Sequence, residues 1–544
     1  MILFFCYNKK MLEKNLEKYF NFSEFRSGQK EIVEAILGGE DVVALMPTGG
    51  GKSLCYQLPA IISDKVTVVI SPLIALMKDQ VDSLNARGIS ATFINSSLSQ
   101  EEIAKRIDDL RNGRTKILYV APERFGSFEF REIFSKLEIF LLAVDEAHCV
   151  SQWGHDFRPD YLEIKKYIQK LEKRPIIAAF TATSTPEVKE DIIQRLELQN
   201  PKVFVRGFDR PNLKFFVQKN IKPKERYLEV LRLAKSIEGS GIIYTLTRKE
   251  TESLAKFLRE NKISAAAYHA GMAAPKREKI QNEFMDNKFK AIVATIAFGM
   301  GVDKADVRFV IHSGMPSSLE GYYQEAGRAG RDGEKAFCIL LHSKKDTTTH
   351  KFFIRGNSQI MQDQGKPWPE INRVTEIKYD KLNRMLDYVE EKYCRRKTIL
   401  EYFDDPELKH MEKNCQGCDV CLKWKKKAEN ESGSFYQKVK RQLLSGTVKE
   451  SVNLYQKGYA PEQIARMRSL GVPTIMNHLI DWYATGGELN IENLITPLEE
   501  GKIMTAIAKA GSTERLNPIK EFLPEEISYE KIKLVVAKMK RLNH

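Results

Sequence analysis

The stretch Met46-Pro-Thr-Gly-Gly-Gly-Lys-Ser53 follows the apolar run Val42 to Leu45 and precedes a segment able to open a helix. It therefore reads as strand, glycine loop, helix. Such a loop points successive backbone N–H groups at one spot, where the helix N-terminus adds positive potential and phosphate can sit. Gly49, Gly50 and Gly51 let the backbone approach, Lys52 would reach the β- and γ-phosphates, and the Ser53 hydroxyl would ligate Mg²⁺. Met46 stands where the strict pattern has a small residue. The loop predicts a bound nucleoside triphosphate.

Outward from this loop, short β-branched runs alternate with helix-length stretches. Val66 to Ile70, Ile117 to Val120, Phe140 to Val144, Ile176 to Phe180, Gly241 to Tyr244, Ala291 to Ala294 and Phe309 to His312 are such runs. Apolar on both faces, they predict an α/β fold with parallel sheets covered by helices, in number enough for two sheets. Phe208-Asp-Arg-Pro-Asn212 interrupts the pattern with turn formers. The expected organisation is a sheet domain over 1–207 and a second over 208–344. A helical, cysteine-bearing subdomain over 345–424, a charged linker over 425–434 and an all-helical C-terminal domain over 435–544 complete it.

With 544 residues, roughly three or four domains are expected. The 42% hydrophobic and 29% charged composition is that of a globular protein, and a net charge of +14 favours a polyanionic partner, nucleic acid before membrane. No apolar run approaches the ~20 residues of a membrane span. Met1 to Tyr7 is too short for a signal-peptide core, and Met11 competes with Met1 as the initiator. Cys6, Cys55, Cys149 and Cys338 are scattered, which argues for a reducing cytoplasm over a disulfide scaffold.

Chemistry concentrates at four further places. Phe140 to Val144 runs into Asp145-Glu-Ala-His148, which sets Asp145 at the sheet edge to hold Mg²⁺ and Glu146 to polarise an attacking water. In Gln324-Glu-Ala-Gly-Arg-Ala-Gly-Arg331, Arg328 and Arg331 would share a helical turn and face a γ-phosphate across an interdomain cleft. Cys394, Cys415, Cys418 and Cys421 suit tetrahedral Zn²⁺ in a closed structural site, with an iron–sulfur cluster as the alternative. Pro461-Glu-Gln-Ile-Ala465, Leu470-Gly-Val-Pro-Thr-Ile475 and Leu479 read as a helix-turn-helix, with Ala465 at the crossing, Gly471 at the turn and Thr474 as cap. That module could enter a major groove or dock protein.

These motifs together resemble a superfamily 2 helicase of the RecQ family over roughly residues 16–424. The resemblance makes the two sheet domains RecA-like and implies that Phe22, Arg26 and Gln29 in Phe22-Ser-Glu-Phe-Arg-Ser-Gly-Gln29 recognise the adenine of ATP. The loop Met46 to Ser53 matches the family's form, Met46 included. Ser71-Pro-Leu-Ile-Ala-Leu-Met-Lys-Asp-Gln80, Phe180-Thr-Ala-Thr183 and Thr295-Ile-Ala-Phe-Gly-Met-Gly-Val-Asp303 fall where the family contacts the tracking strand or couples it to ATP. Asp303 and Gln324 are expected on the nucleotide. Ser151-Gln-Trp-Gly-His-Asp-Phe-Arg-Pro159 resembles the family's aromatic loop, in which Trp153 and Phe157 stack unpaired bases, Arg158 pairs with phosphate and His148 couples the loop to Glu146. The cysteines resemble the family's zinc subdomain.

The implied activity is ATP- and Mg²⁺-dependent 3′-to-5′ translocation on single-stranded DNA with unwinding of tailed or forked duplex, in recombination and repair. Expected partners are DNA and single-stranded-DNA-binding or repair proteins, without a membrane, in a bacterial cytoplasm and at the nucleoid when on DNA. The family's winged-helix hairpin is not discernible in residues 435–544, where the tail is instead similar to helix-turn-helix tails of some bacterial members. An RNA helicase and a non-enzymatic DNA-binding regulator are the rival readings.

Overall fold

The structure, a computed structural model, describes residues 9–47, 49–72, 74–95, 98–151, 154, 158–182, 185–299, 304–411, 414–423, 446–511, 513 and 516–542. The chain divides into two compact units, residues 1–222 with 230–425 and residues 223–229 with 426–544.

In the first unit, seven parallel strands form one sheet: β1 (Val42–Leu45), β2 (Val66–Ile70), β3 (Ala91–Ile94), β4 (Ile117–Val120), β5 (Ile139–Val144), β6 (Ile176–Thr181) and β7 (Lys202–Val205). Their order is β3-β4-β2-β5-β6-β1-β7. Alternation along each strand feeds two cores. Val43, Leu45, Val68 and Ile70 enter one, while Val42, Ala44 and Val69 enter the other. At the amino ends, buried Asp41 gathers the loops: it pairs with Arg174 at 2.5 Å and accepts from the N–H groups of Ile177 (2.9 Å) and Gln199 (2.7 Å). At the carboxyl ends, β1, β2, β5 and β6 bring the glycine loop, Ser71, Asp145 and Thr181 to one edge, where open α/β sheets bind ligands.

A second parallel sheet holds β8 (Leu213–Gln218), β9 (Ser240–Tyr244), β10 (Ala265–Tyr268), β11 (Ala291–Ala294), β12 (Val307–His312) and β13 (Ala336–Leu341), in the order β10-β11-β9-β12-β13-β8. Two long helices, Lys344–Asp363 and Trp368–Glu390, follow as a hairpin, and then helix Arg395–Tyr402 leads to the cysteine knuckle. The knuckle bonds to the sheet edge. Phe215 donates to Gly417 O and accepts from Asp419 N, both at 3.0 Å. Arg395, among the largest fully buried side chains, is neutralised by Asp419 at 3.1 Å. Arg396 pairs with Asp209, and Phe208 stacks on Phe403 at a centroid distance of 4.7 Å, so the crossing segment 208–212 is fastened by helix Arg395–Tyr402 and its C-cap.

Among its described residues the second unit has no strand beyond residue 445. Helices Gly446–Gln456, Pro461–Met467, Val472–Ala484, Pro497–Ala510, Asn517–Lys520 and Tyr529–Leu542 surround a core that includes Ile464, Ile475, Leu479, Ile503 and Ile532. One detail of the expected helix-turn-helix is corrected. Gly471 lies in the connection between the two helices, where Ser469 (φ 50°) takes the left-handed conformation, but Gly471 and not Thr474 is the N-cap of the second helix, which leaves Thr474 inside its first turn. Val472-Pro473 sets this register, because proline tolerates only the first helical turn. The second helix also packs centrally, burying Ile475, Met476, Leu479 and Ile480. Among the described residues no helix is long and apolar enough to cross a membrane.

Candidate active site

Gly49 (φ 83°) and Gly51 (φ 79°) give the loop after β1 its left-handed turns, and helix Lys52–Ile62 starts immediately. A side chain at Gly51 would be strained by that φ, and its Cβ, 2.2 Å from Gln29 Nε2, would push the Gln29 amide off the loop. Lys52 Nζ donates to Met46 O at 3.2 Å, which curls the ammonium over the loop. Arg26 and Gln29 fold onto the same loop. The Arg26 guanidinium donates to Gly49 O (2.6 Å), Gln29 Nε2 to Gly51 O (3.2 Å), and Gln29 Oε1 accepts from Arg26 N (2.8 Å). Both ends of the Gln29 amide are thus engaged with backbone. Phe22 is 49% exposed, a ring face open to stacking. Gly50 sits in the loop over Pro47, and Ser53 is half-buried in the first helical turn.

Asp145 ends β5 and stays buried, its N–H bonded to Ile70 O at 2.8 Å and its carbonyl held by Tyr161 at 3.1 Å. Burial, with Glu146 adding and Lys52 opposing, pushes its carboxyl up to about 7. A buried carboxylate so disfavoured as an anion fits a divalent cation, which Asp145 and Ser53 could hold. Glu146 adopts φ 47°, a left-handed conformation costly for a non-glycine residue and typical of sites where geometry serves chemistry. Its carboxylate lies 3.3 Å from His148 Nδ1, and that nitrogen lies 2.8 Å from Thr181 Oγ1 at the end of β6. Glu146 and His148 are thus joined to the Phe180-Thr-Ala motif.

The arginines are not on a shared helical turn. Helix Leu319–Ala326, which carries Gln324, ends at Gly327, and Gly330 (φ 55°) turns the chain so that Arg328 and Arg331 diverge. Arg328 is buried, donates to Gly299 O and lies beside Tyr244. Arg331 instead reaches the first sheet domain and lies against Gly49. The glycines that crowd the backbone are what let the two side chains separate.

Beyond Glu146 a cleft of about 970 Å³ opens, with His148 and Arg158 on one wall, Arg248 and Gln324 on a second, and Phe353 and Lys378 of the long hairpin on a third. Arg158 donates to Pro72 O at 3.3 Å. Trp153 and Phe157, like Thr48, Thr183 and Asp303, lie outside the described residues. Phe353, 44% exposed, Lys378 and Lys381 were not legible from motifs, because they come from helices with no local signature and reach the cleft only through tertiary packing.

The ligand atoms of Cys394, Cys415, Cys418 and Cys421 all lie within 4.8 Å of one another, with Cys394 and Cys418 buried. The Cys394 thiol is lowered by hydrogen bonds from Cys415 and Cys418, and the same contact with Cys394 raises Cys415, as expected of sulfurs packed in contact. Four convergent sulfurs fit a closed tetrahedral zinc site.

Four family models match the chain: DEAD/DEAH box helicase over residues 26–192, helicase conserved C-terminal domain over 223–333, RecQ zinc-binding over 344–422 and a helix-turn-helix domain over 447–536. The chain is 42% identical over 393 residues to the ATP-dependent DNA helicase RecQ of Bacillus subtilis, covering 72% of this chain and 64% of that protein. It is 41% identical over 407 residues to the RecQ helicase of Haemophilus influenzae, covering 75% and 63%. The chain thus spans a little under two thirds of the length of these relatives. The DNA-bound crystal structure of the DUF1998 helicase MrfA shares the fold at a TM-score of 0.52 and 20% identity, over 61% of this chain and 51% of that one.

Proposed function

The chain belongs to the RecQ family of helicases, and from that premise we propose that it is an ATP-hydrolysing DNA helicase that moves 3′ to 5′ on one strand and unwinds tailed or forked duplex in recombination or repair. Lys52 and the N–H groups of Gly49 to Gly51 bind the phosphates, and Phe22 stacks on the adenine while Arg26 and Gln29 brace the loop beneath it. Asp145 and Ser53 would hold Mg²⁺, which would supply neutralisation of phosphate charge. Glu146, oriented through His148, takes the proton of the attacking water. Arg331 and Arg328 would stabilise transition-state charge from the second sheet domain, and Gln324 and Asp303 would serve as further nucleotide-binding residues.

The contact of Arg331 with Gly49 carries this reading, because it puts a cation of one sheet domain on the phosphate loop of the other. Trp153, Phe157 and Arg158 would engage the strand, with DNA as the partner and repair proteins as further ones. Hydrolysis measured with DNA or RNA added, followed by unwinding of 3′-tailed, 5′-tailed and forked duplexes, tests it. Stimulation by RNA alone, or unwinding only of 5′-tailed duplex, would overturn it. Glu146→Gln should bind ATP and DNA yet not turn over, and retained hydrolysis would remove Glu146 from the base role.

A further inference from the structure

We propose that Lys381 is a positioning residue that ties the loop after the acidic motif to the helix leading into the arginines. Helix Trp368–Glu390 passes between these elements. From it Lys381 Nζ donates to Gly154 O at 2.7 Å and lies 3.7 Å from the Glu320 carboxylate. Gly154 follows Glu146 and His148 by a few residues and is wedged so tightly that a Cβ would stand 2.1 Å from His148 O. Glu320 sits on helix Leu319–Ala326, the helix of Gln324 that ends at Gly327 just before Arg328 and Arg331. One side chain therefore touches the segment that carries the hydrolytic groups and the helix that delivers the charge-stabilising ones.

The same helix grips both sheet domains elsewhere. Arg384, one turn beyond Lys381, lies 4.0 Å from Glu187 of the first, and Tyr388 packs on Tyr322 of the second at a centroid distance of 5.3 Å. Lys381 and Glu320 are 14% and 4% exposed, so their charges depend on each other more than on solvent. Lys378, one turn earlier, lines the cleft beside this tether and adds like charge. A polyanionic strand entering the cleft meets both ammonium groups and competes with Gly154 and Glu320 for Lys381. The tether accordingly holds Gly154 to helix Leu319–Ala326 when no strand is present and yields when a strand binds.

The inference rests on the proposed function, since it concerns how nucleic acid alters hydrolysis. Its test is steady-state ATP hydrolysis by the full chain, without DNA and with saturating single-stranded DNA, for the wild type and for Lys381→Met, Lys381→Arg and Glu320→Gln. Lys381→Met is expected to raise the DNA-free rate about threefold or more while kcat with DNA stays within about twofold, so the stimulation ratio falls. Lys381→Arg, which keeps the donor and the charge, should restore the ratio. Glu320→Gln should shift it in the same sense as Lys381→Met and carries the expectation where that variant is insoluble. Both rates falling together would reduce Lys381 to a structural role, and an unchanged ratio would overturn the tether. A wild type without any DNA stimulation would overturn the proposed function as well, whereas normal wild-type stimulation confines the failure to this inference.

Discussion

Arg331 of the second sheet domain lies along Gly49 of the phosphate loop in the first, so close that a Cβ built on Gly49 would stand 3.2 Å from Arg331 Cγ and 3.4 Å from Cδ. The Arg331 side chain is thus placed against the glycine loop by the packing of two sheet domains at once. A cation that meets the γ-phosphate only when both domains are in register stabilises the transition state more than the ground state. Arg331→Ala should therefore keep fluorescent-nucleotide binding within a few-fold and lose about 100-fold or more in kcat. Lysine lacks the planar fork and should not restore the rate. Hydrolysis near the wild-type rate in Arg331→Ala would remove the residue from the phosphate site.

Cys418 is buried in the knuckle that exchanges hydrogen bonds with Phe215 at the edge of β8. Metal ligation there is expected to contribute on the order of 10 kcal/mol to folding of the knuckle. The purified chain should release one zinc ion per molecule to a chromogenic chelator under denaturing conditions. Cys418→Ser should yield insoluble or protease-sensitive protein. A soluble, zinc-free and active Cys418→Ser chain would sink the structural role.

Asp41 is 4% exposed and satisfies Arg174 and the N–H groups of Ile177 and Gln199. Its removal leaves two buried donors and part of an ion pair without a partner. Asp41→Ala should cost about 3 kcal/mol, seen as a lower denaturation midpoint of the full chain. A midpoint unchanged in that variant would mean that the amino ends of the sheet are held some other way.

Glu499 in the C-terminal helices is held down at about 2, first by the Lys531 ammonium at 2.6 Å and next by the Thr496 N–H it caps. A carboxyl lower in the folded than in the unfolded chain stabilises fully above the unfolded value of about 4.3, and that contribution fades as pH falls toward 2. The gap in melting temperature between the wild type and Glu499→Gln should be widest above pH 5 and narrow between about 4.3 and 2. A gap independent of pH across that window would assign the effect to packing. The pair is partly exposed, so the shift should also shrink with salt.

The phosphate loop and the acidic strand end were readable because their chemistry is local. A strand must stop, glycines must turn, and a lysine must open the helix within a few residues. The cysteine spacing was readable for the same reason. Strand β10 was not, because Ala265-Ala-Ala-Tyr268 has neither β-branching nor alternation, and only its pairing with β11 makes it a strand. The arginines were read onto one helical turn, whereas Gly327 ends the helix and lets them part. Thr474 was read as a cap because threonine favours that place, but Pro473 fixed the helix start earlier.

What the sequence determined by itself was the set of local devices, together with the two-sheet α/β plan that their apolar strands demand. What only the tertiary structure decided was which of them meet. Arg331 reaches Gly49, Lys381 reaches Gly154, and Phe353 faces the cleft because the two sheets and the long helical hairpin pack together. Spacing along the chain encodes turns and faces, which depend on neighbours a few residues away. A contact between residues hundreds of positions apart depends on the summed packing of every layer between them, and no short pattern records that sum.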